Sequence, residues 1–162
     1  MRRIAPVIAL IAALVFAPAP AFAAGDWTWP VVGPLGRPYD PPASPYGTGH
    51  RGIDILASTD SVAVAPEAGV VSFAGRVGGR WFVTIDHGGG LESTMSWVNA
   101  TLVRRGDVVA EADPVALTGT CHPGDTSPCL HFGVRLHDAY QDPLDYLGPI
   151  EVWRFIRLAP FP

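Results

Sequence analysis

Short apolar runs, interrupted repeatedly by glycine and proline, restrict this chain to a fold built from strands. The 162 residues include 18 glycines and 17 prolines, and the sequence shows no long helical periodicity. One segment alternates clearly, with Leu130, Phe132 and Val134 on one face and His131 on the other. We predict strands at Ser61–Ala65, Gly69–Gly75, Trp81–Asp86, Glu92–Val98, Val115–Thr118 and Cys129–Leu136. The expected fold is therefore all-β, with an antiparallel central sheet.

The amino terminus has the pattern of a secretory signal peptide. Arg2 and Arg3 precede an apolar run from Ile4 to Phe16, and Ala21-Phe22-Ala23 supplies a cleavage site with small residues. The run is shorter than the roughly 20 residues of a membrane span, which disfavours the alternative of a membrane anchor. We expect residues 1–23 to be removed and the mature chain to be secreted, without stable membrane insertion.

The remaining chain is acidic, and its proline content sets an amino-terminal arm apart from the main domain. Without Arg2 and Arg3 the formal net charge falls from −4 to −6, which argues against nucleic acid as a partner. Residues 24–45 are rich in proline and predict an extended amino-terminal arm, with Trp27 and Trp29 as anchors at the edge of the core. We expect one domain over residues 46–148 and a carboxyl-terminal extension over residues 149–162.

Three side chains suggest a metal site: His50, Asp54 and His131. Two imidazoles and a carboxylate can hold zinc and leave a fourth position open for water. In an extended strand His50 and Asp54 would lie roughly 13 Å apart, which is too far for one ion. The chain must therefore bend between them, and Gly52 can supply the bend.

Several motifs occur in the order typical of one family. They are Gly49-His50-Arg51-Gly52-Ile53-Asp54, the segment from Ala65 to Gly75, Val83-Thr84-Ile85-Asp86-His87-Gly88, Cys129-Leu130-His131-Phe132 and Asp142-Pro143-Leu144. Together they resemble the lysostaphin-type, LytM-like peptidoglycan metalloendopeptidases. The resemblance implies an antiparallel sheet of the duplicated-hybrid-motif type with a metal-binding groove. It also implies zinc held by His50, Asp54 and His131, peptidoglycan as the partner, and a cell-wall location.

Two positions depart from the family pattern. The resemblance implies two supporting histidines for catalysis, and here Trp97 and Cys129 occupy their places. We therefore predict weak or absent turnover. The alternative is an active endopeptidase that cuts peptide cross-links with substitute acid or base groups. His87 and His122 are the candidates for that role, against a structural role for His87 and a solvated loop position for His122.

The two cysteines permit one intramolecular pair. Cys121 and Cys129 flank a turn-rich stretch, and an exported protein favours a disulfide between them. The alternatives are a Cys129 thiolate on zinc and two free thiols.

Three functional classes compete, the first two implied by the resemblance and the third suggested by the Ala65-Pro66-Glu67-Ala68-Gly69 hairpin. The first is a peptidoglycan endopeptidase, and the second is a non-catalytic wall-binding or regulatory module with a protein partner. The third is a lipoyl-type or biotinyl-type carrier, which fails because the chain contains no lysine.

Overall fold

A computed structural model describes residues 25–44, 46–122 and 126–149. The described residues form twelve strands and one turn of 3-10 helix at Pro143–Asp145. The strands are β1 (Leu35–Arg37), β2 (Ile53–Leu56), β3 (Val62–Val64), β4 (Gly69–Val77), β5 (Arg80–Asp86), β6 (Leu91–Val98), β7 (Ala100–Thr101), β8 (Val108–Val109), β9 (Pro114–Leu117), β10 (Gly119–Thr120), β11 (Pro128–Leu136) and β12 (Ala139–Gln141). This confirms the predicted all-β class.

The strands form two antiparallel sheets. The larger sheet has the order β1-β2-β11-β6-β5-β4-β8, and β10 and β12 also pair with β11. The smaller sheet has the order β3-β9-β7. Strand β11 pairs with four others: β2 along Cys129–Phe132, β6 along His131–Leu136, β10 at its start and β12 at its end.

The two faces of the larger sheet differ in chemistry. Strand residues alternate between faces, so Phe132 and Val134 of β11 and Met95 of β6 point into a fully buried apolar core. That core also includes Val115 and Ala116 of the smaller sheet. The residues between them on β5, β6 and β11 line an open cleft instead: Phe82, Thr84, Glu92, Thr94, Ser96, His131, Gly133 and Arg135. One face of the larger sheet thus packs in the core, and the opposite face carries the polar side chains of the cleft.

A β-bulge changes this alternation at the end of β6. Trp81 of β5 pairs with Val98, and Phe82 pairs with Ser96, so Trp97 is the extra residue on β6. Its φ angle is +64°, in the left-handed region that residues other than glycine rarely adopt. Regular alternation would place Trp97 on the face opposite Ser96, but the bulge brings both side chains to the cleft.

The amino-terminal arm packs against the sheet rather than projecting from it. Trp27 is 2% exposed, forms a parallel bridge with Leu147, and lies 4.7 Å from His87 between ring centroids. Trp29 donates through Nε1 to the carbonyl of Gly148 at 2.8 Å. Both tryptophans therefore join the two ends of the described chain.

The six predicted strands are all present, with ends shifted by one or two residues. The predicted signal peptide and most of the predicted carboxyl-terminal extension lie outside the described residues. Within the described ranges, none of the helical structure is long and apolar enough to cross a membrane.

Candidate metal centre

The pairing of β2 with β11 brings two of the predicted ligands together. Asp54 and His131 are direct register partners in this antiparallel pair. Gly52 permits the close approach of the two strands, since a Cβ atom there would lie 2.2 Å from the carbonyl oxygen of Phe132. The φ angle of Gly52 is not positive. The predicted bend is present before β2, but glycine is required for space and not for an unusual backbone angle.

The amino-terminal arm positions the third predicted ligand. His50 forms an isolated antiparallel bridge with Asp40, closed by backbone hydrogen bonds of 2.7 and 3.0 Å. Its Nδ1 donates to the carbonyl of Pro38 at 2.7 Å. This bond fixes the ring and leaves the Nε2 lone pair directed at Asp54 and His131, which is the orientation that a metal-binding histidine requires.

The three predicted ligand side chains converge on one point. His50 Nε2 lies 3.1 Å from Asp54 Oδ1 and 3.1 Å from His131 Nδ1, and the last two atoms are 2.8 Å apart. Ligand atoms on one tetrahedral zinc lie about 3.3 Å apart, given zinc–nitrogen bonds of about 2.0–2.1 Å. A small outward movement would therefore admit the ion. Zinc supplies Lewis acidity and acidifies bound water when such a site is loaded.

The electrostatics of the cluster also suit a cation. Burial alone would raise the pKa of Asp54, but hydrogen bonds from His131 and His122 and the charges of His131 and His50 lower it overall. Burial lowers the pKa of His131 despite the opposing hydrogen bond and charge of Asp54. An ionised carboxylate and a neutral imidazole are the protonation states in which these side chains bind metals.

His122 is a fourth member of the cluster. Its Nε2 lies 2.9 Å from Asp54 Oδ2, and its side chain is 28% exposed. Ligand atoms of His50, Asp54, His122 and His131 all lie within 4.8 Å of one another. The expectation of a solvated loop histidine does not describe this contact. In the sequence, only the cysteine pair indicated that His122 would lie near the cluster, because a disulfide would hold its loop beside β11.

His87, the other candidate for an acid or base, lies on the core side of the sheet. Its Nδ1 donates to the carbonyl of Ala68 at 2.9 Å, and its Nε2 is 2.8 Å from the hydroxyl of Ser93. The ring also packs on Trp27, and burial lowers its pKa. This placement favours the structural role over the catalytic one, because the ring cannot reach the cleft.

The positions of the two supporting histidines carry other chemistry. Cys129 is joined to Cys121 by a disulfide with the Cα atoms 5.3 Å apart, and neither cysteine is free. The alternatives of a zinc-bound thiolate and of free thiols are therefore wrong for this structure. Trp97 faces the cleft and packs against Phe82 at 5.9 Å between ring centroids. An indole can donate a hydrogen bond but cannot transfer a proton.

The cleft beside the cluster has a volume of about 970 Å³. One part of its wall is apolar, formed by Phe73, Val77, Phe82 and Trp97. Another part carries Arg37, Arg51 and Arg135, although the chain as a whole is acidic. Arg135 pairs with Glu92 at 2.5 Å, which orders this side of the cleft. Such a surface suits an extended peptide that bears carboxylates.

A two-sheet β domain with a histidine and aspartate cluster beside an open cleft defines a metallopeptidase fold. The model of Peptidase family M23 matches residues 48–143, and the chain belongs to this zinc-dependent family. An uncharacterized protein of Mycobacterium tuberculosis is 32% identical over 139 residues, which cover 82% of this chain and 54% of that protein. The lipoprotein NlpD/LppB homolog of Pseudomonas aeruginosa is 33% identical over 129 residues, covering 77% and 41%. The chain thus spans about half the length of these relatives.

Solved structures share the fold. Lysostaphin of Staphylococcus simulans aligns with a TM-score of 0.67 at 22% identity, covering 85% of this chain and 61% of that one. A zinc-containing peptidase from Vibrio cholerae aligns with a TM-score of 0.66 at 20% identity, covering 78% and 41%. The resemblance to lysostaphin-type proteins that the motifs indicated is therefore confirmed.

Proposed function

We propose that this chain is a secreted, zinc-binding domain that binds peptidoglycan peptides at the bacterial cell wall and hydrolyses them slowly or not at all. The single observation that carries the proposal is the intact metal cluster beside a cleft whose two supporting positions are Trp97 and a disulfide-bonded cysteine. Zinc binding is retained in this arrangement, while the groups for proton transfer are replaced.

The cleft supports recognition of a peptide. Its apolar wall can cover the aliphatic part of a peptide, and Trp97 offers a broad surface for contact. Its arginines can bind the carboxylates that peptidoglycan peptides carry. Lipoproteins among the relatives and the cell-wall role of the family are consistent with an extracytoplasmic site of action.

The replaced positions support low turnover. Proton transfer and stabilisation of a developing oxyanion each contribute on the order of 100-fold or more to rate. Trp97 cannot move a proton, and Cys129 has no thiol to do so. The domain would then act by binding the wall or by regulating a protein partner, as a non-catalytic member of an enzyme family.

The alternative is an active endopeptidase that uses a substitute acid or base. One observation favours it: His122 lies close enough to Asp54 to act beside a metal-bound substrate. Under this alternative His122 would carry the proton that the supporting histidines carry in relatives.

Binding and cleavage can be measured on the same sample. We expect the zinc-loaded protein to co-sediment with purified peptidoglycan and to release few new amino termini. Replacing Trp97 by Ala should weaken binding about 10-fold, as expected for loss of one aromatic contact. Trp81→Ala is the matched control, because Trp81 lies in the same sheet outside the cleft lining and packs against Arg76.

Two results would decide against the proposal. If the protein failed to bind peptidoglycan, the proposal that the cleft recognises peptidoglycan peptides would be wrong. Rapid release of amino termini, abolished by a chelator and by His131→Ala, would establish the active alternative.

A further inference from the structure

The position of His122 in the cluster resembles that of a ligand more than that of a nearby base. His50 and His131 both contact Oδ1 of Asp54, at 3.1 and 2.8 Å. His122 contacts the other oxygen, Oδ2, at 2.9 Å. The carboxylate therefore has a histidine nitrogen against each of its oxygens, and His122 lies closer to it than the predicted ligand His50 does.

The three imidazole rings are also arranged almost equivalently. The centroid distances are 5.3 Å for His50 and His122, 5.2 Å for His122 and His131, and 4.8 Å for His50 and His131. The interplanar angles are 63°, 65° and 63°. Three edge-on imidazoles around a carboxylate form a set of three nitrogen donors and one oxygen donor, which tetrahedral zinc accepts.

The chain holds His122 in place by two connections to the strand that bears His131. Strand β10 pairs with β11 through Gly119 with Cys129 and Thr120 with Pro128. The next residue, Cys121, is joined to Cys129 by the disulfide. His122 follows directly, so its backbone is tied to β11 two residues from His131.

From this geometry we propose that His122 is a fourth protein ligand of the metal, completing a closed site with His50, Asp54 and His131. The proposal rests on the zinc binding in the function proposed above. Closed four-ligand zinc sites are typical of structural metals, whereas catalytic sites keep one position for water. Cys129 stands where the family pattern has a supporting histidine. Its disulfide to Cys121 positions His122, which closes the metal site. Slow hydrolysis then has a second cause besides the missing proton carriers.

X-ray absorption at the zinc edge tests the ligand count directly on the zinc-loaded, disulfide-bonded protein. We expect three imidazoles per zinc in the unaltered protein and two in His122→Ala, with water oxygen in the free position. Competition with a chromophoric chelator should show zinc affinity reduced more than about 100-fold in His122→Ala, since even residues that only support ligands typically account for 10- to 100-fold. His137→Asn is the matched control, because it removes a histidine outside the cluster at a left-handed position that asparagine tolerates.

The outcomes separate this proposal from the function on which it rests. The assignment of His122 as a ligand would be wrong if the unaltered protein bound zinc through only two imidazoles. It would also be wrong if His122→Ala bound zinc with unchanged affinity. Either result would leave zinc binding by the domain intact. Zinc binding that is absent altogether, or that survives His131→Ala unchanged, would overturn the metal site itself. His122→Asn provides a second, smaller change should the alanine variant fold poorly.

The role of the disulfide in placing His122 can be tested by combining variants. Replacing both cysteines by serine should weaken zinc binding in the same direction as His122→Ala. If the disulfide acts through His122, the combined variant should bind zinc no more weakly than His122→Ala alone. If the losses in zinc affinity were fully additive, the disulfide would affect zinc binding by another route. The proposal that it holds His122 at the metal would then be wrong.

Discussion

Gly52→Ala tests whether close strand contact builds the metal centre. The added Cβ atom would lie 2.2 Å from the carbonyl oxygen of Phe132, where ordinary van der Waals contact begins near 3.4 Å. That partner is backbone in the strand that carries His131, so the clash cannot be relieved by rotating a side chain. Strands β2 and β11 must separate by more than 1 Å, and Asp54 and His131 are register partners in this pair.

We expect the substitution to cost about 3 kcal/mol in the free energy of unfolding, the upper part of the range for overpacking. That corresponds to roughly a hundredfold change in the folding equilibrium. Urea unfolding of the metal-free protein should show a midpoint lower by about 1 M or more with an unchanged slope. Zinc affinity should fall about 10- to 100-fold, because the ligands are displaced but retained.

Gly75→Ala is the matched control for this prediction. It also adds a methyl group to a strand of the larger sheet, but its nearest neighbour is the end of the Phe73 ring at 3.1 Å, which can move. Its unfolding midpoint should stay close to that of the unaltered protein. A Gly52→Ala protein with the same midpoint and the same zinc affinity would refute the idea that this contact sets the site.

Three further outcomes are expected. Adding zinc at a hundred times its dissociation constant should raise the free energy of unfolding by about 2.7 kcal/mol, and a chelator should reverse this shift; an unchanged stability would contradict a folded-state metal site. Replacing Cys121 and Cys129 by serine should lower the stability of the metal-free protein by roughly 2.5 kcal/mol, measured by urea unfolding, because a short loop is no longer closed in the unfolded chain. Burial lowers the pKa of His87 in the folded state, so the unfolded state binds more protons just below the ordinary value near 6.5. Stability should therefore fall as pH drops from about 7.5 to 5.5, and His87→Gln should reduce that slope; a variant with an unchanged pH profile would exclude His87 as its source.

The long strands were predictable because each has its own local signal. Alternation of apolar and polar residues identified β11, and its inward residues Leu130, Phe132 and Val134 form part of the core as expected. The other long strands were indicated by short runs bounded by turn residues. The short strands β1, β7, β8, β10 and β12 have two or three residues each and no periodicity to detect. Their pairing is set by neighbours in the sheet, which the local sequence does not contain.

The site was predictable in part for the same reason. His50, Asp54 and His131 lie in motifs that the sequence displays, and the structure brings them together. The contacts of Pro38 and Asp40 with His50 arise from an arm that crosses the sheet, and no spacing rule reveals them. The approach of His122 depends on how a disulfide loop folds back, and a lone loop histidine usually lies in solvent.

The bulge at Trp97 separates the lining of the cleft from the packing of the core. Because the extra residue turns its side chain away from the core, a mutation at position 97 alters the cleft without disturbing the packing of Met95 or Val98. The side chain at position 97 can therefore differ while the core residues of the sheet keep their packing. If the domain binds peptidoglycan as proposed, a substitution at this position would change what the cleft recognises separately from how the domain folds.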